Sequence, residues 1–469
     1  MVDPTRKEDI LKFISDNNIK ILNLCHIPED GRLKTLSFVA TDAEKVEEIL
    51  DLGERVDGSN LFSFLEPGES DIYIHPKLER AFTNPFAQIP TLNVLCDYSG
   101  ADGKPLEAAP QNVLTRAEDK LLSSNGLVLK ALAELEFYII SKQESEPLFS
   151  ADADRNYHDS APFARFEEIR NEIMVTLSSV GVATKYGHSE IGRIATKDGE
   201  FIEQQEIELA AQNLTRMAES VSIAKWVIRN ICLKHGVSVS FAPKVAVEHV
   251  GTGMHVHLCA LKDGKNLVAN PDRTLSMEAM KMIGGILRLA PSLSAFANPT
   301  PISYLRFIAR KESPMHVCWS ARNRLALIRI PLWCRLEQKN RSAEECKETF
   351  EYRAPDAFAN IFMLLAGVTV AVSYGLSNPR ESMKIAKDLH ARGGEQTKHL
   401  KTLPLSCIES AVNLEKDRQL YESDDVFPAR LIDRTIESLK SYKDRNLWQK
   451  LAKKPEQIEK ELKRYRHFG

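Results

Sequence analysis

Four segments of this chain carry charged or imidazole side chains at every second position, and this pattern most narrows how the chain can fold. In Ala131-Leu-Ala-Glu134-Leu-Glu136-Phe-Tyr-Ile-Ile140, a strand puts Ala133, Leu135, Phe137 and Ile139 on one face and Leu132, Glu134, Glu136 and Tyr138 on the other. Two carboxylates at neighbouring same-face positions repel unless they are solvated, protonated or neutralised by a cation. Alone, the segment reads as a solvent-facing strand edge. It has company. Glu203-Gln-Gln-Glu206-Ile-Glu208 adds carboxylates, and Gly251-Thr-Gly-Met-His255-Val-His257-Leu puts two imidazoles on one side of a strand with Met254, Val256 and Leu258 on the other. Glu351-Tyr-Arg353 repeats the spacing with opposite charges. Facing one another, such strands would form a carboxylate-rich metal site beside an arginine-lined phosphate site. Oxygen donors with an imidazole and no thiolate suit Mg²⁺ or Mn²⁺ better than zinc.

Arg306, Arg322, Arg324 and Arg329 fall within about one strand-loop-strand length, among apolar and small residues and with Glu312 between them. Arg322 and Arg324 sit two apart, so a strand would turn both to one side. Clustered guanidinium groups in a folded interior call for an anion, and carboxylates and phosphates accept two parallel hydrogen bonds from each fork. Metal plus arginines is the equipment of phosphoryl transfer, where catalysis is mostly positioning and charge neutralisation. No P-loop and no Gly-x-Gly-x-x-Gly motif is present, so ATP would bind outside those frameworks.

The 469 residues suggest two or three domains, and 43% hydrophobic with 27% charged residues is ordinary for a globular protein. A net charge of -3 points to neither nucleic acid nor an anionic membrane as partner. The 8 cysteines show no Cys-x-x-Cys pair and read as reduced thiols of a cytoplasmic protein. The run from Ile361 to Leu376 is too short to span a bilayer and reads as a buried helix. Residues 15–105 are turn-rich and β-rich with one helix over Ala43–Leu52; Ser99–Pro110 reads as a linker to a larger α+β region over 110–469. There, Leu214, Met217, Val221, Ala224, Ile228 and Ile231 mark a long helix closed by Lys234-His235-Gly236, and the final residues form a helical tail, read as a solvated surface in preference to an oligomer contact.

The ordered set Glu-x-Glu-Phe, Gly-x-Gly-Met-His-x-His, Asn-Pro-Thr-x-x-Ser-Tyr-x-Arg, Trp-Ser-Ala-Arg-Asn-Arg-x-Ala-x-Ile-Arg-Ile-Pro and Glu-x-Arg-x-Pro-Asp resembles the glutamine synthetase family. The resemblance implies an α+β fold: an N-terminal β-grasp domain and a catalytic α/β domain with a funnel-shaped site, in homo-oligomeric rings, often double-ring dodecamers, with sites between subunits. It implies one metal at Glu136, Glu190 and Glu206, another at Glu134, His255 and Glu351, and His188 and His257 near the nucleotide. Arg324 and Arg329 would neutralise ATP phosphates, Arg306 would hold the amino-acid carboxylate, and Arg353 the γ-carboxyl group. Glu312 would ride on a flap. Glutamate, ATP and ammonium would be the substrates, with Asp57, Tyr157 and Glu312 around the ammonium, and glutamine would form through γ-glutamyl phosphate.

This sequence departs from the family pattern at Asn60 in the Asp57 turn, and at Val250, which leaves a backbone contact at Gly251 for glutamate. It departs again at an insertion over 193–200, at Thr349, and at His390, which replaces a modifiable tyrosine. The alternatives are a γ-glutamyl ligase for a polyamine or other amine, and a ring-forming relative without catalysis.

Overall fold

The computed structural model describes residues 6–66, 68, 70–142, 152–196, 198–309, 312–333, 346–391 and 400–468. Two sheets organise it. The first joins β1 (Ile21–His26), β2 (Lys34–Val39), β3 (Glu54–Asp57), β4 (Asp71–Thr83) and β5 (Thr91–Ser99) in the order β2-β1-β5-β4-β3, with β1 and β5 parallel. Leu22, Leu24, Leu92 and Val94 are fully buried there. The helix Ala43–Leu52 forms where its periodicity places it, capped by Asp42 accepting from the Lys45 N–H. The expected linker is folded: Ser99 bridges Pro105, and the Leu106 N–H donates to the Tyr98 carbonyl at 2.9 Å. Lys77 and Arg80 of β4 close on Glu219 of the helix Leu214–Lys234 at 2.9 and 2.5 Å, which ties the small module to the rest.

The second sheet holds β6 (Val128–Lys142), β7 (Thr184–Ala195), β8 (Glu200–Leu209), β9 (Gln212–Asn213), β10 (Ser238–Ser240), β11 (Met254–Lys262), β12 (Lys265–Asn266), β13 (Trp319–Ala321), β14 (Ile328–Ile330) and β15 (Phe350–Tyr352). Its main path runs β13-β14-β15-β11-β6-β8-β7. β6 is therefore central, and the solvent-edge reading of Glu134 and Glu136 fails. The apolar face of β6 packs on helices: Ala133, Leu135, Phe137 and Ile139 are fully buried, as are most residues of Leu214–Lys234, Met277–Ala297 and Ile361–Ser377. Among the described residues no single helix is long and apolar enough to cross a membrane. In the tail, Ile458, Leu462 and Tyr465 turn inward and join the core, so it is more than a solvated surface.

Two sequence expectations change. Arg322 and Arg324 do not share a strand face, because β13 ends at Ala321 and Arg322 takes a positive φ of 63° in a turn before β14. Cys259 and Cys346 form a disulfide with Cα atoms 5.9 Å apart, whereas Cys25, Cys96, Cys232, Cys318 and Cys407 are buried free thiols. Cys334 lies outside the described residues, as does Lys197 within the 193–200 insertion.

Candidate active site

Strand register converts the alternating pattern into rows across the sheet. Arg329, Glu351, His257 and Leu132 stand opposite one another on β14, β15, β11 and β6. The next row reads His255, Glu134, Glu208 and Tyr186, and the third Glu136, Glu206 and His188. A β-bulge between Ser189 and Arg193 swings Glu190 towards the third row. All these groups except the fully buried Glu351 line one cavity of about 800 Å³. Six flat strands would separate β14 from β7 by roughly 24 Å, so the sheet must curl for both to reach one such space.

Within the cavity the charges meet directly. His255 Nδ1 donates to Glu134 Oε2 at 2.8 Å and lies 3.6 Å from Glu136 and 3.7 Å from Glu351. His257 Nε2 donates to Glu134 Oε1 at 2.9 Å, and its Nδ1 meets the Thr349 hydroxyl at 3.2 Å. Burial opposes the Glu134 charge, yet the two imidazoles hold its carboxyl well below the usual range. Opposite it, His188 Nε2 is 3.2 Å from Glu206 and its Nδ1 3.7 Å from Glu190. Burial, then the charges of Glu206 and Glu136, push Glu190 up to about 8, and Glu206 is raised for the same kinds of reason.

Two groups are close enough to share one cation each: Glu134, His257 and Glu351, and His188, Glu190 and Glu206. They differ in membership from the sequence expectation, which used His255 and Glu136 and left His257 and His188 to the nucleotide. His255 stands within 4 Å of Glu134 and Glu351 in the first group, and Glu136 lies 3.6 Å from His255, so the sheet gathers all eight side chains. The donor set fits a hard divalent cation: carboxylate oxygens and imidazoles, with mutual repulsion among Glu136, Glu190 and Glu206 that a cation would relieve.

The basic wall is built differently. Arg329 Nη1 donates to Glu351 Oε2 at 2.7 Å, and Arg353 donates to the other oxygen of Glu351, which is fully buried. Arg353 Nε also donates to the Arg324 carbonyl at 3.0 Å, and Arg324 itself reaches the cavity. Arg306, on the helix Pro301–Ile308, gives its two Nη groups to the carbonyls of Ala354, Pro355 and Arg353 at 2.9 to 3.2 Å and to His255 Nε2 at 3.4 Å. It holds in place the backbone that carries Arg353. A Cβ at Gly253 would stand 2.8 Å from Arg306 Nη2 and 2.6 Å from His255 Nε2, so only glycine lets them converge.

Tyr157 lines the cavity, stacked on His158 at 4.2 Å and edge-on to His188 at 5.3 Å. Gly251 and Glu312 line it as well, Glu312 with a positive φ of 56°. Asp57 is not brought to it. The carboxylate sits exposed at the end of β3, accepting from the Ser59 hydroxyl at 2.7 Å, the Ser59 N–H at 3.0 Å and Asn60 Nδ2 at 2.6 Å. The Ser59 hydroxyl and N–H hold its pKa below the ordinary value. Asn60 thus supports Asp57, and Val250 packs with Tyr138, Ile140, Ile194 and Ile202.

Sequence reasoning gave no role to Gln204 or Arg193. Gln204 donates to Glu136 at 2.9 Å and to the Gly251 carbonyl at 3.1 Å, fixing the carboxylate; its place two before Glu206, on the same strand face, was the available signal. Arg193, first residue of the insertion, is buried, with Asp159 at 3.3 Å and the Phe163 carbonyl at 2.9 Å, and so anchors the segment bearing Tyr157. Thr349 engages His257, and His390 stacks on Trp319 at 4.1 Å.

A small five-stranded module beside a curled sheet with acidic and basic walls defines a ligase of the glutamine synthetase type. Residues 107–462 match the glutamine synthetase catalytic domain, and residues 18–100 the glutamine synthetase β-grasp domain. The glutamine synthetase of Thermotoga maritima is 30% identical over 429 residues, covering 89% of this chain and 91% of that protein. That of Aquifex aeolicus is 28% identical, with 92% and 94% covered. Among solved structures, Plasmodium falciparum glutamine synthetase superposes with a TM-score of 0.78 at 18% identity over 94% and 96% of the two chains. A GmaS/ADP complex gives 0.74 at 19% identity, with the same coverage. The chain belongs to the glutamine synthetase family.

Proposed function

We propose that the protein joins ammonia to the γ-carboxylate of glutamate, using ATP and passing through γ-glutamyl phosphate. The observation that carries this reading is the pairing of walls: carboxylates and imidazoles on β6, β7, β8 and β11 face Arg324, Arg329 and Arg353 across one cavity. Mg²⁺ or Mn²⁺ held by Glu134, His255, His257 and Glu351, and by Glu136, His188, Glu190 and Glu206, would neutralise and orient the phosphates. Arg324 and Arg329 stabilise charge on the transferring phosphoryl group, and Arg353 turns the γ-carboxylate towards it. Arg306 acts mainly by positioning Arg353, and it also lines the cavity in which the substrate carboxylate would lie. Glu312 stands where a closing segment would exclude water from the acyl phosphate.

Ammonium needs an anion both to attract it and to take its proton. Tyr157 lies in the cavity of this chain while Asp57 does not, so Asp57 serves the site of a neighbouring copy in a homo-oligomer. The second reading, a larger amine as acceptor, is favoured by the apolar Val250 and by the His158 and Tyr157 rings beside the expected ammonium pocket.

Phosphate release from purified protein with ATP, Mg²⁺ and glutamate, across ammonium and a panel of amines, tests both. Selective stimulation by ammonium supports the first reading. Stimulation only by a larger amine replaces it with the second, and silence with every acceptor rejects both.

A further inference from the structure

The face of β8 turned away from the cavity carries a second polar layer. Gln204, Glu206 and Glu208 line the cavity, so strand alternation turns Glu203 and Gln205 to the opposite side, where both are fully buried. Gln205 donates to Glu203 at 2.9 Å and accepts from Arg170, on the helix Glu167–Ser179, at 2.8 Å. Glu203 in turn accepts from the Arg165 N–H at 3.3 Å and lies 3.5 Å from Arg193. The Arg193 guanidinium donates to the Asn156 side chain, to Asp159 at 3.3 Å and to the Phe163 carbonyl at 2.9 Å. The backbone repeats this grip. β7 ends the path of the sheet, and residues 154–158 run along its other edge. The Asp154 N–H donates to the Arg193 carbonyl at 3.3 Å, that of Asn156 to Ile191 at 3.2 Å, and that of His158 to Ser189 at 2.9 Å. Asn156 is thereby fully buried, while the next side chain, Tyr157, stands in the cavity. One arginine holds the residue before Tyr157 and the residue after His158.

We infer that Arg193 is a positioning residue for the acceptor step: it sets where Tyr157 and His158 stand, and so how tightly the amine is held. This role rests on the reading that places the amine beside Tyr157. Several acceptors spread around one cation ask for a planar fork. A lysine keeps the charge facing Glu203 but cannot reach Asn156, Asp159 and Phe163 together. Arg329 and Arg353 are held by Glu351, and Arg353 also by the Arg324 carbonyl, contacts that Arg193 does not share. Loss of the fork therefore reaches the acceptor step and spares phosphoryl transfer.

Phosphate release by the full-length protein, with amine, glutamate and Mg²⁺ varied in turn, tests this in Arg193→Lys and Asp159→Asn. Each should raise the KM of the preferred amine about tenfold, with kcat, the glutamate KM and the Mg²⁺ requirement unchanged. Asp159 is half-buried and its variant keeps the Arg193–Glu203 pair, so that chain folds even where Arg193→Lys does not. Arg155→Ala, which breaks an exposed pair with Asp152 on the same segment, should change none of these. A parent protein silent with every acceptor removes the underlying reading and this role with it. With an active parent, an unchanged amine KM in both variants, a parallel rise in the glutamate KM or the Mg²⁺ requirement, or an equal rise in Arg155→Ala overturns the role of Arg193 alone.

Discussion

The two walls of the active site are made by opposite means. The acidic wall stands on long strands, β6, β7, β8 and β11, whose ladders fix each carboxylate by backbone register. The basic wall stands on three-residue strands and turns, and its arginines are held by ion pairs and by carbonyls. Glu351 is the hinge between them, buried and accepting from Arg329 and Arg353 while lying 3.7 Å from His255. A wall set by register tolerates loss of one side chain without moving. A wall set by ion pairs does not.

The largest expected effect is on the acidic wall. Glu134→Gln should lower phosphate release about a thousandfold with every amine while circular dichroism stays native. A residual rate that differs between amines would break the assignment. Glu351→Gln should lower stability by about 3 kcal/mol in urea titration as well as activity, because the buried Arg353 and half-buried Arg329 guanidinium groups lose their partner. A variant as stable as the parent would mean that the basic wall needs no ion pair. Arg324→Ala, at a partly exposed group, should cost about a hundredfold in activity with an unchanged melting temperature. Asp57→Ala should cost about tenfold more with ammonium than with a bulky amine supplied deprotonated. Equal losses would remove Asp57 from the acceptor step.

A buried cation away from both walls gives the smallest effect on activity and a baseline. Lys225 has an ordinary value near 10.5 and is brought to about 7 by burial, then by Arg229. Between those values the unfolded chain holds a proton that the folded chain lacks, so this group makes stability rise with pH from about 7 to 10.5. Lys225→Met should flatten that rise in pH-dependent urea midpoints; an unchanged slope would assign it elsewhere.

The acidic wall was legible in the sequence because period-two alternation persists through β6 and β11, and one-residue slips would flip every side chain. The helices Ala43–Leu52 and Leu214–Lys234 were legible for the same reason at the helical period. The basic wall was not. Three-residue strands are too short to show a period, and Arg322 leaves the strand through a positive φ that no neighbouring glycine announces. Arg306 had a readable cue in Pro301, which opens its helix. The Cys259–Cys346 disulfide joins residues 87 apart in sequence, where spacing carries no signal.

Asp57 stands exposed on β3, outside the cavity that holds every other proposed acceptor residue. A reaction that needs it from a neighbouring copy is not first order in protein. Rate per chain should fall on dilution below the assembly constant, recover on concentration, and be restored by mixing an Asp57→Ala chain with a Glu134→Gln chain, since each supplies the half that the other lacks.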